Sequence, residues 1–410
     1  MTTAALIGLI ALALLFDFTN GFHDSANAIA TVVATHVLRP RMAVAWAAMF
    51  NFVAFLVVGT AVANTVGQTV KAAYFTLPVV FAALLGAICW NYLSWWLGLP
   101  TSSSHALVGA LVGAGLAHGG FAAIHGDSVE KTALFIVISP IAGLLLGGAA
   151  MLLLRRFLRH ADVTRTERRF RFAQLASSAA VSLAHGGNDA QKTMGVIAAL
   201  LVATGHLPAG GDTLPIPLWV VLSAEAAIAL GTVSGGWRIV RTMGTRITQL
   251  RPISGFAAET GAALALFGST ALGAPVSTTH TVAGAIAGVG SQNRAAGVNW
   301  SVFGRVAIAW LVTMPVAALI AALAYWGATL PHEPYNIILM SLILAVLAGL
   351  LIVAVRRAPS AEDIEEEAEH EVPLRAGSGT LTGTARVRVT SRKPDPERTR
   401  AVAQEVDEPW

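Results

Sequence analysis

A single cysteine, Cys89, stands in 410 residues, which excludes an internal disulfide framework. Charge is scarce too. Asp, Glu, Lys and Arg make up 12% of the chain, against about 25% in an ordinary soluble domain. Hydrophobic residues make up 55%, more than a soluble core can hide, so a lipid bilayer is the expected solvent. No Lys or Arg precedes the first apolar run, and Asp17 and Asp24 interrupt its core, so a cleavable signal peptide is not expected. The net charge of +4 does not point to nucleic acid. Its arginines sit in short loops between apolar runs, as topology signals do.

What the chain has is a series of apolar runs of membrane-spanning length, roughly 20 residues each. The first runs from Ala4 to Leu38 and is interrupted by the polar stretch Asp17 to Asp24. Others cover about 42–63, 75–97, 105–117 and 132–154. A basic stretch holding Arg155, Arg156, Arg159, Arg165, Arg168, Arg169 and Arg171 follows. Beyond it lie runs at about 172–204 (again interrupted), 216–235, 256–273, 280–290, 303–328 and 335–355. The acidic Glu362 to Glu371 and the Pro/Arg/Glu-rich end predict a solvated, disordered tail. The expected organisation is a first transmembrane repeat over 1–154, a basic cytoplasmic link over 155–171, a second repeat over 172–355 and a tail over 356–410.

The two halves resemble each other. Pro100-Thr101-Ser102-Ser103-Ser104-His105 is echoed by Pro275-Val276-Ser277-Thr278-Thr279-His280, and His23-Asp24 by Asn188-Asp189. Loop charge suggests that the copies are inverted. Arg39 and Arg41 follow the aspartate element of the first half, whereas in the second half 205–215 is free of Lys and Arg and 236–251 is basic. The positive-inside rule then places the basic loops and the tail in the cytoplasm and the N-terminus outside, in a multi-pass plasma-membrane protein. The fold class expected is an all-α polytopic membrane protein. Its two inverted-topology repeats carry broken helices and re-entrant-type hairpins that meet at the midplane.

Helix N-termini offer unpaired N–H groups and a positive dipole, so hydroxyl clusters there suit an oxyanion. Thr101, Ser102, Ser103, Ser104, Ser277, Thr278 and Thr279 are therefore the candidate anion-binding residues; the bland reading is plain helix capping. Asp24 and Asp189 are intramembrane carboxylates, costly unless used. Carboxylates do not bind anions, so they are candidates for coupling cations or protons, with Asn27, Asn188 and Gln191 as amide ligands beside them. Glu259 and Glu225 are weaker candidates, and Asp17 is expected near an interface. Lys192 is read as balancing Asp189 and the anion. His23 titrates in the physiological range when unperturbed. His105 and His280 fit capping or packing as well as a ligand role. A dianion entering against 100 mV costs roughly 4.6 kcal/mol, so accumulation requires accompanying cations.

Gly21-Phe22-His23-Asp24-Ser25-Ala26-Asn27, Gly187-Asn188-Asp189-Ala190-Gln191-Lys192, the two Ser/Thr motifs and Gly235-Gly236-Trp237-Arg238 resemble signatures of the inorganic phosphate transporter family. The resemblance spans roughly residues 4–355. It implies uptake of inorganic phosphate across the lipid bilayer with sodium or protons, with phosphate at the Ser/Thr tips. Asp24, Asn27, Asn188 and Asp189 match positions near the cation and substrate sites. His23 and Lys192 stand where the sodium-coupled branch typically has Asn. The chain is closer to the bacterial low-affinity branch, which takes up phosphate with protons, often as a complex with magnesium or another divalent metal.

The expectation is proton symport by alternating access, with no cofactor beyond the coupling ion, no nucleic-acid partner and a homodimer left open. Sodium coupling and a sulfate permease of the same fold are the alternatives. An enzyme is disfavoured, because a Ser–His–acid site needs one asymmetric arrangement and these motifs come twice. A channel has no use for paired buried carboxylates.

Overall fold

The computed structural model describes residues 3–330 apart from 209–212 and 293–296, together with positions 345, 349, 352, 353, 360, 361 and 363. The run expected at 335–355 and the tail at 356–410 therefore lie outside the described residues, save those isolated positions. Twelve α-helices are described: α1 Thr3–Ala34, α2 Pro40–Phe52, α3 Ala61–Gly67, α4 Leu77–Trp96, α5 Ser103–Gly119, α6 Gly126–Phe157, α7 Val163–Ala203, α8 Leu218–Ser234, α9 Trp237–Arg241, α10 Pro252–Ala271, α11 Thr278–Ser291 and α12 Trp300–Ala328. There is no strand among the described residues, only one isolated bridge between Val70 and Ile124.

Five helices are long and apolar enough to cross a membrane, or up to seven spans if two bent pairs each count as one. Helices α6 and α12 turn Leu134, Ile141, Leu145 and Leu152, and Ile308, Leu311, Leu319 and Leu323, outward. Exposed aliphatic rows of this extent need lipid around them. Trp96, Trp219, Trp300 and Trp326 are exposed at helix ends, where aromatic belts sit.

The helix breaks are present, but not where the polar residues suggested. Helices α1 and α7 run without interruption through Asp17–Asp24 and through Asn188–Lys192. Protein rather than lipid surrounds those stretches, so their side chains are satisfied without unwinding backbone. The bends fall one element later instead, 90° between Leu56 and Ala61 and 64° between Ser234 and Trp237. The basic stretch 155–171 is mostly helical as well, since α6 continues to Phe157 and α7 starts at Val163, capped by Asp162.

Packing exchanges the two halves. Helix α5 lies on α12 and α11 on α6, while α1 pairs with α8 and α7 with α2. The approach at α5 and α11 is close enough that a Cβ on Gly113 would strike the Ala318 carbonyl, and one on Gly288 the Leu144 carbonyl. Pro140 and Pro315 occupy matching places inside α6 and α12. Each hairpin helix is thus seated against the long helix of the other half, which holds both hairpin tips in the middle.

Candidate functional site

The two tips start helices in the same way. Ser102 accepts a hydrogen bond from the His105 N–H (3.2 Å), and Ser277 one from the His280 N–H (3.1 Å). The capping reading therefore holds for these two hydroxyls. The others are spent differently. The Ser104 hydroxyl donates to the Val276 carbonyl at 2.9 Å, tying one tip directly to the other. Ser103 donates to Asp24 Oδ2 at 3.0 Å, and Thr279 donates to Asp24 Oδ1 at 3.3 Å. Asp24 is thus bonded to both tips. Asn27 Nδ2, one turn further along α1, donates to Thr278 and Thr279, each at 3.0 Å.

His23 completes the first side. Its Nδ1 lies 2.7 Å from Asp24 Oδ1, and its Nε2 lies 3.0 Å from Ser94 Oγ and 3.4 Å from Thr101 Oγ1. On α7, Lys192 Nζ donates to Asp189 Oδ1 at 2.5 Å, so the ammonium and carboxylate are a buried pair. A buried pair of this kind is costly to break on one side only, about 3–5 kcal/mol. Asn188 Nδ2 donates to Thr270 Oγ1 (2.8 Å) and to the Ala274 carbonyl (3.3 Å), beside the second tip, and its Oδ1 is buried without a partner.

Three groups that the sequence reading passed over belong here. The Asn20 amide, oriented as its neighbours require, faces Asp24 Oδ2 (3.1 Å), Asp189 Oδ2 (3.2 Å) and Ser103 Oγ (3.0 Å), bridging the two aspartates. His185 places Nε2 3.6 Å from Asp189 Oδ2, one turn before it on α7. One ligand atom each from Asp24, His185 and Asp189 lies within 4.8 Å of the others, a spacing that fits a metal ion. Trp310 on α12 braces both tips, donating to the Pro100 carbonyl at 2.9 Å and stacking on His280 at 4.2 Å. The shift that carries Asp24 to Asp189 also carries Asn20 to His185, a signal available in the sequence.

Some expected members stay away. Glu259 is buried in a separate network, accepting from Thr31 (2.5 Å), Gln174 (3.0 Å) and Ser177. Gln191 caps the start of α3, its Oε1 accepting from the Val62 N–H at 2.8 Å. Asp17, expected near an interface, is fully buried, as is Glu225. His105 and His280 face each other across the tips with ring centroids 4.8 Å apart.

Lipid-facing helices around a buried meeting of two helix N-termini with flanking carboxylates define a multi-pass membrane transporter of an anion. The chain matches the phosphate transporter family over residues 20–321. It is a member of that family, and phosphate is its transported substrate. It is 53% identical to the "Probable low-affinity inorganic phosphate transporter" of Rhizobium meliloti (strain 1021), over 79% of this chain and 97% of that one. A protein of the same description from Bacillus subtilis (strain 168) is 42% identical, over 77% of this chain and 94% of that one. The solved structure of "The sodium-dependent phosphate transporter" matches with a TM-score of 0.73 at 25% identity, over 80% of this chain and all of that one. The family and these relatives are transporters, not enzymes.

Proposed function

We propose that the protein imports inorganic phosphate by proton symport with alternating access, the anion being held between the two hairpin tips. The observation that carries this reading is Asp24, a carboxylate bonded to hydroxyls of both tips and to His23. Ser103, Thr278 and Thr279 would turn their hydroxyls to phosphate when it enters, helped by the two positive helix ends. The proton would ride on the His23–Asp24 pair, whose 2.7 Å contact needs one proton between the two atoms. His185 and Asp189 would form the matching pair on α7, held by Lys192.

Lys192 favours protons over sodium as the coupling ion. Its ammonium occupies Asp189 Oδ1 and repels a second cation at that place. A divalent metal arriving as a neutral complex with the phosphate dianion, which the ammonium does not repel as it does a bare cation, would find Asp24, His185 and Asp189 Oδ2, the oxygen that Lys192 leaves open, as ligands. In this reading the N-terminus is external, the basic loops and tail are cytoplasmic, the two repeats are inverted, and the protein resides in the plasma membrane. The exchanged packing of the halves supports the repeat reading.

Labelled phosphate uptake into liposomes, with sodium equal on both sides and an inward proton gradient imposed with or without magnesium, tests it. Uptake above the gradient-free control is expected, and more with magnesium. Uptake that ignores the proton gradient and follows an inward sodium gradient instead would overturn the coupling ion while leaving phosphate as substrate.

A further inference from the structure

Among the described residues, two buried acids have carboxylate oxygens left without donors. Asp17 is 0% exposed and Glu225 1%. Both Asp17 oxygens and Glu225 Oε2 are without a hydrogen-bond partner among the described residues. By contrast Asp24, Asp189 and Glu259 each accept from hydroxyl, amide, imidazole or ammonium groups. The two acids come together because α1 and α8 run parallel. Thr232 donates to the Gly21 carbonyl (3.4 Å) and the Gly236 N–H to Ser25 Oγ (2.6 Å). Gly21 packs directly on the Ile228 carbonyl, so Asp17, one turn earlier on α1, and Glu225, three residues earlier on α8, face each other. Asn20 lies one turn from Asp17 on its own helix, and among the described residues no Lys, Arg or His forms an ion pair with Asp17.

Asp24 lies against His185 and Asn20 against Asp189, so α7 runs antiparallel to α1 and brings Thr193 to the level of Asp17; its hydroxyl too is fully buried and closes no hydrogen bond. We propose that Asp17, Glu225 and Thr193 form a second cation site that binds a sodium ion, about 10 Å along α1 from Asp24.

Two desolvated carboxylates with no basic partner cost several kcal/mol each while charged, a cost that one monovalent cation and one proton together remove. A proton shared between the acids would bond one oxygen of each, whereas a cation between them reaches both Asp17 oxygens, Glu225 Oε2 and the Thr193 hydroxyl together. Calcium takes roughly six to eight oxygen ligands, and magnesium keeps its waters in an octahedral shell. Four buried protein oxygens suit a less demanding monovalent ion. The pair is also absent from the matching place in the other half. Gly186 of α7 packs on Asn51 of α2 as Gly21 packs on Ile228, which sets Ser182 and Ala48 where Asp17 and Glu225 stand. Acids required for packing would recur there; these occur once. The inference goes beyond the central site, since the ion would bind whether or not protons drive phosphate.

The test is equilibrium binding of radioactive sodium to the purified full-length chain in detergent, for wild type, Glu225→Gln and Thr193→Val. Wild type is expected to bind sodium, with affinity at least tenfold weaker in Glu225→Gln and several-fold weaker in Thr193→Val. Elution as a single species and unfolding temperature establish that each variant is folded, and Thr193→Val carries the test where Glu225→Gln is not. Absence of sodium binding in wild type overturns the proposal. So does binding that survives both variants yet disappears in Asp24→Asn, which would put the ion in the central site.

Discussion

Replacing Asp24 by Asn is expected to reduce phosphate uptake about a hundredfold or more. The carboxylate is bonded to His23, to Ser103 of one tip and to Thr279 of the other. Hydrogen bonds to a charged acceptor contribute roughly 1.5–3 kcal/mol each, and about 1.4 kcal/mol is a factor of ten. Loss of two such bonds therefore suffices for the effect. An amide in place of the carboxylate also brings an N–H that faces hydroxyl donors and removes the negative charge that keeps a proton on the pair. Initial uptake rates in liposomes at matched protein density measure this. A variant retaining more than a tenth of the wild-type rate would show that Asp24 is scaffold.

Lys192→Asn is expected to transfer control of uptake from protons to sodium. The wild-type ammonium satisfies Asp189 internally. Without it the carboxylate is a buried charge that has lost its partner, worth about 3–5 kcal/mol of destabilisation. A small cation entering beside Asp189, the Asn188 carbonyl oxygen and the new amide would restore the balance. An imposed inward sodium gradient should then stimulate uptake by the variant at least about tenfold, the smaller part of that 3–5 kcal/mol, while leaving wild type unchanged. Proton-driven uptake that persists in the variant with no response to sodium would show that Lys192 does not select the ion.

The hairpin tips were legible in the sequence because a helix start has a local signature. Pro100 and Pro275 followed by hydroxyl clusters placed α5 and α11 to within a residue or two, and Ser102 and Ser277 cap as such residues do. Asp24 and Asp189 stood out because charge in an apolar run is costly. Two readings went astray for one reason, that polarity along a chain does not tell what lies beside it. The stretches Asp17–Asp24 and Asn188–Lys192 looked like breaks, yet α1 is continuous among α4, α7 and α8, and α7 among α1, α2, α3 and α10. The real bends fall at 57–60 and at Gly235–Gly236, where the local chemistry is unremarkable save for the glycines.

Partnership was the least legible part. Glu259 and Asp24 look alike in sequence, but Glu259 is committed to Thr31, Gln174 and Ser177 on helices that meet only in the fold. His185 and Asn20 went unnoticed as polar residues in helix, although aligning the halves on their aspartates superposes them. Trp310 could not be found at all, because its contacts to Pro100 and His280 bridge segments from three parts of the chain.

The central claim is that one phosphate is gripped by both tips at once. It is tested most directly by protection from alkylation, using Ser103→Cys and Thr279→Cys, each in a chain whose only other cysteine, Cys89, has been replaced by Ala. Phosphate is expected to slow alkylation of both cysteines with the same half-maximal concentration, and sulfate to slow neither at that concentration. Protection of one tip alone, or of the two at widely different concentrations, would contradict a shared site.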